Sequence, residues 1–421
     1  MSAVPAGAGR SATYTLDAGR LQRFCLAIWV ASGCIAFIEP SPYEIFFVFA
    51  FLVLVSTGLA LTRELVPFIF IVLIYNIGGA FSLIPWLGES KSVTFIVISF
   101  YLAITAIVFA AAALTDTERR MRAIELGAIT GGVVASLAGI AGFINIAGLG
   151  SIFALWGESR ASGTFKDPNV LGPFLVLPIM VLMQSLLLGR RNTLMSAVLL
   201  GILALSLFFT FSRGAWGAAI LGTAMLFGLT FLVAGDTRLR ARIVVASVLG
   251  MAFVALILAV ALTDPRIREI FELRASLNQT YDLGTTGRFG NQLRSLPMLF
   301  DNPQGIGPLR FPTFFREAPH NVFLNAFHSY GWLGGISYLC LTVGTIGVGF
   351  WAVFQRTPWQ AHTIAVWAAL FPQIVQGVQI DTDHWRHIWM LFGLIWGLAA
   401  ANTRWISSRR LATVQLPGRA A

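Results

Sequence analysis

Charged residues are scarce in this chain of 421 residues. Asp, Glu, Lys and Arg together make up 11% of it, while hydrophobic residues make up 57%; soluble domains carry about 25% charged residues. The mean hydropathy is +0.77. This composition excludes an ordinary soluble protein and predicts one embedded in a membrane. The alternating pattern of barrel strands is absent too, so the predicted fold is an all-α polytopic membrane protein.

Cysteines and recognisable cofactor motifs are also few. The three cysteines, Cys25, Cys34 and Cys340, lie in apolar segments without metal-ligand spacing, and we interpret them as packing residues. No P-loop, Rossmann glycine pattern or G-x-S-x-G motif occurs. We therefore predict no cofactor and no metal site. The formal net charge of +10 follows from the positive-inside rule, so no nucleic-acid partner is predicted.

Twelve apolar segments follow one another along the chain. Each has about 20 residues or more, which is the length that a helix needs to cross a bilayer core. This predicts about 12 transmembrane helices. The segments are 21–38, 44–62, 66–85, 92–114, 122–145, 170–188, 193–212, 214–234, 242–262, 325–354, 361–379 and 385–402.

The distribution of Lys and Arg predicts the orientation. With the N-terminus inside, most basic residues fall in inner segments, and the first two outer loops have almost none. The predicted divisions are a cytoplasmic tail (1–20), transmembrane helices 1–9 (21–262), a periplasmic helical loop (263–320), transmembrane helices 10–12 (321–403) and a second cytoplasmic tail (404–421). The first tail lacks an apolar stretch, so no cleavable signal peptide is predicted.

The long outer loop is the main polar interruption of the apolar sequence. Apolar residues recur at helical spacing in Arg266–Ser276 and again in Arg288–Phe300. The first of these stretches is typical of a short helix lying on a membrane. We therefore expect the loop to form a small helical cap over the outer face.

Three arginines in the outer segments are candidate ligands for an anion. Arg213 lies between two apolar segments, Arg160 precedes a helix that opens near Asn169, and Arg288 begins a helical stretch in the long loop. A guanidinium stays charged and offers two parallel hydrogen bonds to a phosphate. The alternatives are snorkelling to the interface for Arg213 and solvated loop charges for Arg160 and Arg288.

His320 is the candidate general base, since a histidine can accept a proton near neutral pH. The alternative is an interfacial histidine satisfied by the backbone. Asn321 follows it, and His328 lies two helical turns deeper on the same predicted face. Asp381 belongs to an Asp-x-Asp pattern in the last outer loop, 379–387. That loop is either a solvated helix connector or a weak candidate metal site.

In order, these motifs are Arg160-Ala161-Ser162-Gly163-Thr164-Phe165, Ser212-Arg213-Gly214-Ala215-Trp216, Gly287-Arg288, and His320-Asn321-Val322-Phe323-Leu324 with Gly331. The ordered set resembles the O-antigen ligase and polymerase-like superfamily, and O-antigen ligases most. The motifs cover about 150–340, and the topology covers the whole chain. Each motif alone is weak, while their order before and after one large outer loop is fairly specific.

The resemblance implies a metal-independent, inverting glycosyltransferase of the C-type membrane fold (GT-C). Such an enzyme works at the periplasmic face of the bacterial inner membrane, taking a glycan from undecaprenyl diphosphate to an acceptor such as lipid A-core. His320 matches the general base, and Arg160, Arg213 and Arg288 match the arginines that hold the diphosphate. Asn321, His328 and Asp381 are supporting candidates. The chain lacks the acidic residue that the family often carries near Gly331, which leaves a supporting carboxylate unidentified.

Two other functions are compatible with the sequence. A polymerase of O-antigen or exopolysaccharide uses the same donor with a glycan acceptor. A transporter or flippase of an anionic lipid or solute would need ionisable residues deep in the spans, and these are scarce.

Overall fold

The computed structural model describes residues 17–155, 160–276 and 284–414. The described chain is almost wholly helical. Parts of the two predicted tails, 1–16 and 415–421, lie outside the described residues. The helices are α1 (Ala18–Ser32), α2 (Pro42–Ser56), α3 (Val66–Leu83), α4 (Ser90–Leu114), α5 (Thr117–Phe143), α6 (Gly150–Phe153), α7 (Pro168–Leu188), α8 (Thr193–Phe209), α9 (Arg213–Val233), α10 (Thr237–Ala261), α11 (Pro265–Ala275), α12 (Arg288–Asp301), α13 (Phe311–Phe314), α14 (Val322–Val353), α15 (Gln360–Gln376) and α16 (Arg386–Val414).

Each of the twelve apolar segments coincides with one of the longer helices. Within the described residues, seven helices are long and apolar enough to cross a membrane; they are Arg63–Trp86 (α3 with its flanking 3₁₀ turns), α4, α5, α7, α9, α10 and α14. Helices α2 and α8 are apolar but shorter. The all-α, multi-pass membrane fold is therefore confirmed, and the count of twelve spans stays a prediction.

Small residues let the long helices pack closely. Helix α14 packs against α3, and α16 packs against α4. A Cβ added at Gly78 would lie 2.5 Å from the backbone nitrogen of Gly334, and one added at Gly393 would lie 2.2 Å from the carbonyl oxygen of Ala106. Because lipid offers no hydrophobic drive between helices, such backbone contact is a main source of their packing energy.

The long loop contains the two helices predicted for it. Helix α11 lays Ile267, Ile270 and Phe271 against an aromatic cluster at the ends of α5 and α8. Helix α12 is tied to α14, since Trp332 Nε1 donates to the Leu299 carbonyl at 2.7 Å. The loop is therefore folded down on the bundle.

One short β-hairpin was not predicted. Strands β1 (Ala154–Leu155) and β2 (Arg160–Ala161) are antiparallel, with Ala154 opposite Ala161 and Leu155 opposite Arg160. Apolar periodicity cannot signal strands of two residues.

Candidate functional site

One polar cavity of about 510 Å³ lies where the long loop meets the ends of several helices. We call it the arginine cavity. It brings together all three predicted arginines, the predicted base and one supporting candidate, which come from distant parts of the chain. Its charged and polar lining residues are Arg160, Asp167, Asn169, Ser212, Arg213, Arg274, Arg288, Glu317, His320, Gln376, Gln379 and Asp381.

Four helix N-termini surround this cavity. Asn169 is the second residue of α7, Arg213 the first of α9 and Arg288 the first of α12, while His320 precedes the first residue of α14 by two. A helix N-terminus carries about half a positive charge and has backbone N–H groups without partners inside the helix. Side chains of Asp167, Ser212 and Asn321 cap the starts of α7, α9 and α14, and the start of α12 has no side-chain cap. The helix dipoles therefore favour an anion here together with the arginines.

Arg160 is a buried residue, with 5% of its surface exposed, and not a solvated loop charge. Its Nε donates to the Thr210 carbonyl at 2.9 Å, and one terminal nitrogen donates to Asn169 Oδ1 at 3.0 Å. The turn after β2 needs a glycine, because Gly163 has φ +54 and an added Cβ would lie 2.5 Å from the Ala135 carbonyl oxygen. Arg160 therefore bridges the start of α7 and the α8–α9 turn at a fixed position.

Arg213 opens α9 directly after a sharp turn. Phe211 has φ 46, and Ser212 caps the helix by accepting from Ala215 N. Arg213 donates from Nη1 to the Ser276 carbonyl at 2.8 Å, just beyond the end of α11. The side chain thus lines the arginine cavity under the long loop.

Arg274 is a fourth arginine of the cavity, which sequence reasoning did not assign to the site. It lies near the end of α11, whose apolar residues anchor that helix on the bundle. The sequence did contain a signal for Arg274, because this basic residue lies at the same helical spacing as the apolar residues Ile267, Ile270 and Phe271.

Arg288 ties the long loop to the last outer loop. Its Nη1 donates to the Gln379 carbonyl at 3.1 Å, and its guanidinium lies 4.9 Å from the centre of the Phe289 ring. Gln379 itself lines the cavity beside Asp381. This hydrogen bond holds the start of α12 against the loop between α15 and α16, on one side of the arginine cavity.

His320 lies in a turn whose backbone is held from two sides. Asp381 accepts from the backbone N–H groups of His320 and Asn321, at 3.1 and 2.9 Å. Gln292 Nε2 donates to the carbonyls of Pro319 and His320, at 2.9 and 3.3 Å. His320 has φ 48, a left-handed conformation that the surroundings must stabilise and that is often found at functional sites.

Two carboxylates accompany His320. Glu317 Oε2 lies 4.0 Å from His320 Nε2, while Asp381 contacts the backbone. Burial raises the pKa of Asp381, the negative charge of Asp383 raises it further, and the two backbone N–H donors lower it, for a net value of about 7. These two residues are the structure's candidates for the supporting carboxylate that the motifs left unidentified.

The loop that carries Asp381 is not a solvated connector. Thr382 and Asp383 are buried, and Asp383 Oδ2 accepts from Asn325 Nδ2 at 3.0 Å and pairs with His384 Nδ1 at 3.1 Å. Burial lowers the pKa of His384, but the charge and hydrogen bond of Asp383 outweigh it and the net shift is upward. In the described residues, no three His, Cys, Asp or Glu side chains form a group that could hold a metal ion.

The other two supporting candidates lie outside the cavity wall. Asn321 is the N-cap of α14, where its Oδ1 accepts from Phe323 N and Leu324 N at 3.1 and 3.2 Å. His328 is buried against the Phe311 ring, and its carbonyl accepts from Ile306 N at 2.9 Å. Asn321 positions the turn of His320, whereas His328 supports the fold of the long loop.

A second, apolar cavity of about 600 Å³ adjoins the arginine cavity. The two share the wall residues Val170 and Trp385. Aromatic and aliphatic side chains such as Tyr101, Phe165 and Phe174 form most of this second lining. We call it the apolar cavity. The arginine-lined cavity therefore adjoins a largely apolar one.

Known proteins show little similarity to this chain. No family model matches the chain. One curated relative, "Phospholipid-transporting ATPase 6" from Arabidopsis thaliana, is 26% identical over 140 residues, which is 31% of this chain and 11% of the relative. The match therefore spans about a tenth of that protein, and it does not show a family for this chain.

Proposed function

We propose that this chain is a GT-C-type glycosyltransferase of the bacterial inner membrane, resembling O-antigen ligase, with twelve spans. It moves a glycan from undecaprenyl diphosphate to an acceptor hydroxyl, lipid A-core in the ligase form, at the periplasmic face. The single observation that carries this proposal is convergence. Arg160, Arg213, Arg288 and His320, which come from separate segments, line one cavity.

The cavity residues suit an inverting transfer. His320 takes the proton of the acceptor hydroxyl while that oxygen attacks the anomeric carbon. The bond between this carbon and the phosphate oxygen breaks, and its electron pair leaves with the undecaprenyl diphosphate. The guanidinium groups of Arg160, Arg213, Arg274 and Arg288, with the surrounding helix N-termini, stabilise the charge that develops. No metal ion is needed for this balance of charge.

The apolar cavity supports a lipid-borne donor. A polyprenyl diphosphate has a hydrocarbon chain attached directly to its charged group, so its site needs both environments within one short distance. The shared wall at Val170 and Trp385 provides this contact between the two cavities. A soluble sugar nucleotide would have no use for the apolar space.

His320→Ala tests the proposed chemistry. Purified protein, in detergent with a glycan-linked undecaprenyl diphosphate and an acceptor, should lose about 10²–10⁴-fold in transfer rate. Arg316→Ala is the matched control, since Arg316 is exposed in the same loop and does not line the cavity. Full transfer by a folded His320→Ala protein would exclude His320 as the base.

The products that accumulate on gene deletion separate the ligase from a polymerase. Loss of a ligase leaves finished polymer on its lipid carrier, and loss of a polymerase leaves single repeat units. A transporter or flippase would instead move the lipid across vesicles without forming a new glycosidic bond. If neither carrier-linked species accumulated and no bond formed in vitro, the glycosyltransferase proposal would fail.

A further inference from the structure

A smaller polar cavity lies at the other ends of two helices that build the arginine cavity. It has a volume of about 240 Å³ and lies between α5, α7 and α15. We call it the opposite-face cavity. Along α7, Asn169 and Gln184 are separated by 15 residues, or roughly 22 Å at 1.5 Å per residue. Its main polar lining residues are Arg122, Glu125, Gln184, Arg190, Arg191 and His362.

Positive charge dominates this lining. The one acidic residue there, Glu125, is buried and pairs with His362 Nδ1 at 2.5 Å. Arg122 pairs with Glu118, which is outside the lining. In the described part of the chain, the side chains of Arg190 and Arg191 show neither a hydrogen bond nor an ion pair. Two guanidinium groups therefore face this cavity with their donors available.

Two buried polar atoms in the same wall also lack partners. Gln184 and His362 are 5% and 3% exposed, and among the described residues Gln184 Nε2 and His362 Nε2 have no hydrogen-bond partner. A carboxylate accepts hydrogen bonds, so His362 Nδ1 donates to Glu125, and in the neutral imidazole Nε2 is then an acceptor, not a donor to an anion. Buried polar atoms are costly unless they are paired, so the N–H donor of Gln184 favours a ligand that accepts hydrogen bonds.

We propose that the opposite-face cavity binds a phosphate group, either the headgroup of an anionic lipid or a free phosphate compound. Arg190 and Arg191 would hold the phosphate oxygens through their planar donor pairs, and Gln184 would donate from the buried wall. Basic pockets between transmembrane helices at one membrane face bind anionic headgroups in this way. The site is separate from the arginine cavity, because the two cavities share no lining residue.

Binding to the full-length protein tests this site. The protein is purified in neutral detergent and titrated with phosphatidylglycerol, phosphatidylcholine or inorganic phosphate, with binding followed by native mass spectrometry. The affinity of the wild type for phosphatidylglycerol or phosphate should be about tenfold higher than that of the Arg190→Gln/Arg191→Gln variant, because the variant loses two charge-assisted contacts. A preference for phosphatidylglycerol without phosphate binding identifies a lipid site. Phosphate binding that competes with the lipid identifies a free phosphate compound as a ligand.

Arg238→Gln/Arg240→Gln is the matched control. It removes the same amount of positive charge from the start of α10, whose arginines do not line the opposite-face cavity. This helix start lies on the same face of the bundle, because Arg242 Nη1 donates to the Leu187 carbonyl near the end of α7. This control should bind like the wild type. An equal loss of affinity in both double variants would show that general surface charge causes the binding, and it would contradict the proposed site.

Gln184→Leu checks the buried wall separately. It keeps a side chain of similar size and removes the amide, so affinity should fall several-fold while both arginines remain. Unchanged affinity in a folded Gln184→Leu protein would remove Gln184 from the site. Absence of binding by the wild type to both phosphate probes would overturn the whole proposal.

Discussion

Asp381 holds His320 by its backbone, since Asp381 Oδ2 accepts from the His320 N–H at 3.1 Å. The other carboxylate oxygen accepts from Asn321 N at 2.9 Å. His320 has a left-handed φ of 48, a conformation that costs roughly 1–3 kcal/mol unless its surroundings compensate. Asp381 therefore belongs to the site as a positioning residue, although it is 61 positions away in sequence.

Asp381→Asn should lower glycosyl transfer without removing it. An amide offers one acceptor oxygen where the carboxylate offers two, so one of the two backbone N–H groups loses its partner, at a cost of about 0.5–1.5 kcal/mol. We expect a fall in kcat of about tenfold or less, measured in the purified transfer assay. Asp236→Asn is the control, because Asp236 caps α10 away from the cavity. A loss as large as that of His320→Ala would contradict a positioning role.

Stability should depend on pH through Asp381. Its pKa in the folded protein is about 7, against an ordinary value of 3.8. Between these values the folded state keeps a proton that the unfolded chain has lost, so the free energy of unfolding falls as pH rises. Asp381→Asn cannot titrate and should flatten this part of the profile. Thermal unfolding between about pH 4 and about pH 8 measures the difference; parallel profiles for the two proteins would refute it.

Arg213→Lys should impair transfer while keeping the charge. A lysine cannot reproduce the two parallel hydrogen bonds that a guanidinium makes to a phosphate. If Arg213 contacts the leaving diphosphate, kcat should fall about tenfold or more, because the contact strengthens as the charge develops. Arg238→Lys, at the start of α10, serves as the control. Equal activity of the two variants would return Arg213 to a structural role.

Cysteine labelling should place the two polar cavities on opposite sides of the membrane. Thr285 is exposed beside the start of α12, and Thr193 is exposed at the start of α8. In a background without Cys25, Cys34 and Cys340, an impermeant maleimide added to spheroplasts should modify Thr285→Cys and spare Thr193→Cys until the cells are opened. Labelling of both from outside would contradict the predicted topology.

Four residues of the candidate site were predicted from the order of weak motifs along the chain, together with a local signal at two of them. Arg213 was an arginine between two apolar segments, where a charge needs a reason. His320 was a histidine at the point where hydrophobic sequence resumes after the long polar loop, and it can accept a proton near neutral pH. Arg160 and Arg288 were predicted to bind the same anionic substrate as Arg213. The four residues line one cavity in the structure.

The remainder of the site had no local signal strong enough to identify it. Arg274 matched the pattern of an amphipathic helix, and Glu317 was one of several loop charges. The role of Asp381 depends on two hydrogen bonds to a distant turn. The opposite-face cavity depends on α5, α7 and α15 meeting.

The sequence by itself determined that this protein is a helical, multi-pass membrane protein, and where its helices lie. A backbone in lipid must satisfy its own hydrogen bonds, so a run of apolar residues leaves the helix as the available structure. Only the tertiary structure decided which polar side chains share a cavity, since their contacts join residues such as Arg160 and Thr210, 50 positions apart. Those contacts depend on how the helices pack, and packing is a property of the whole chain.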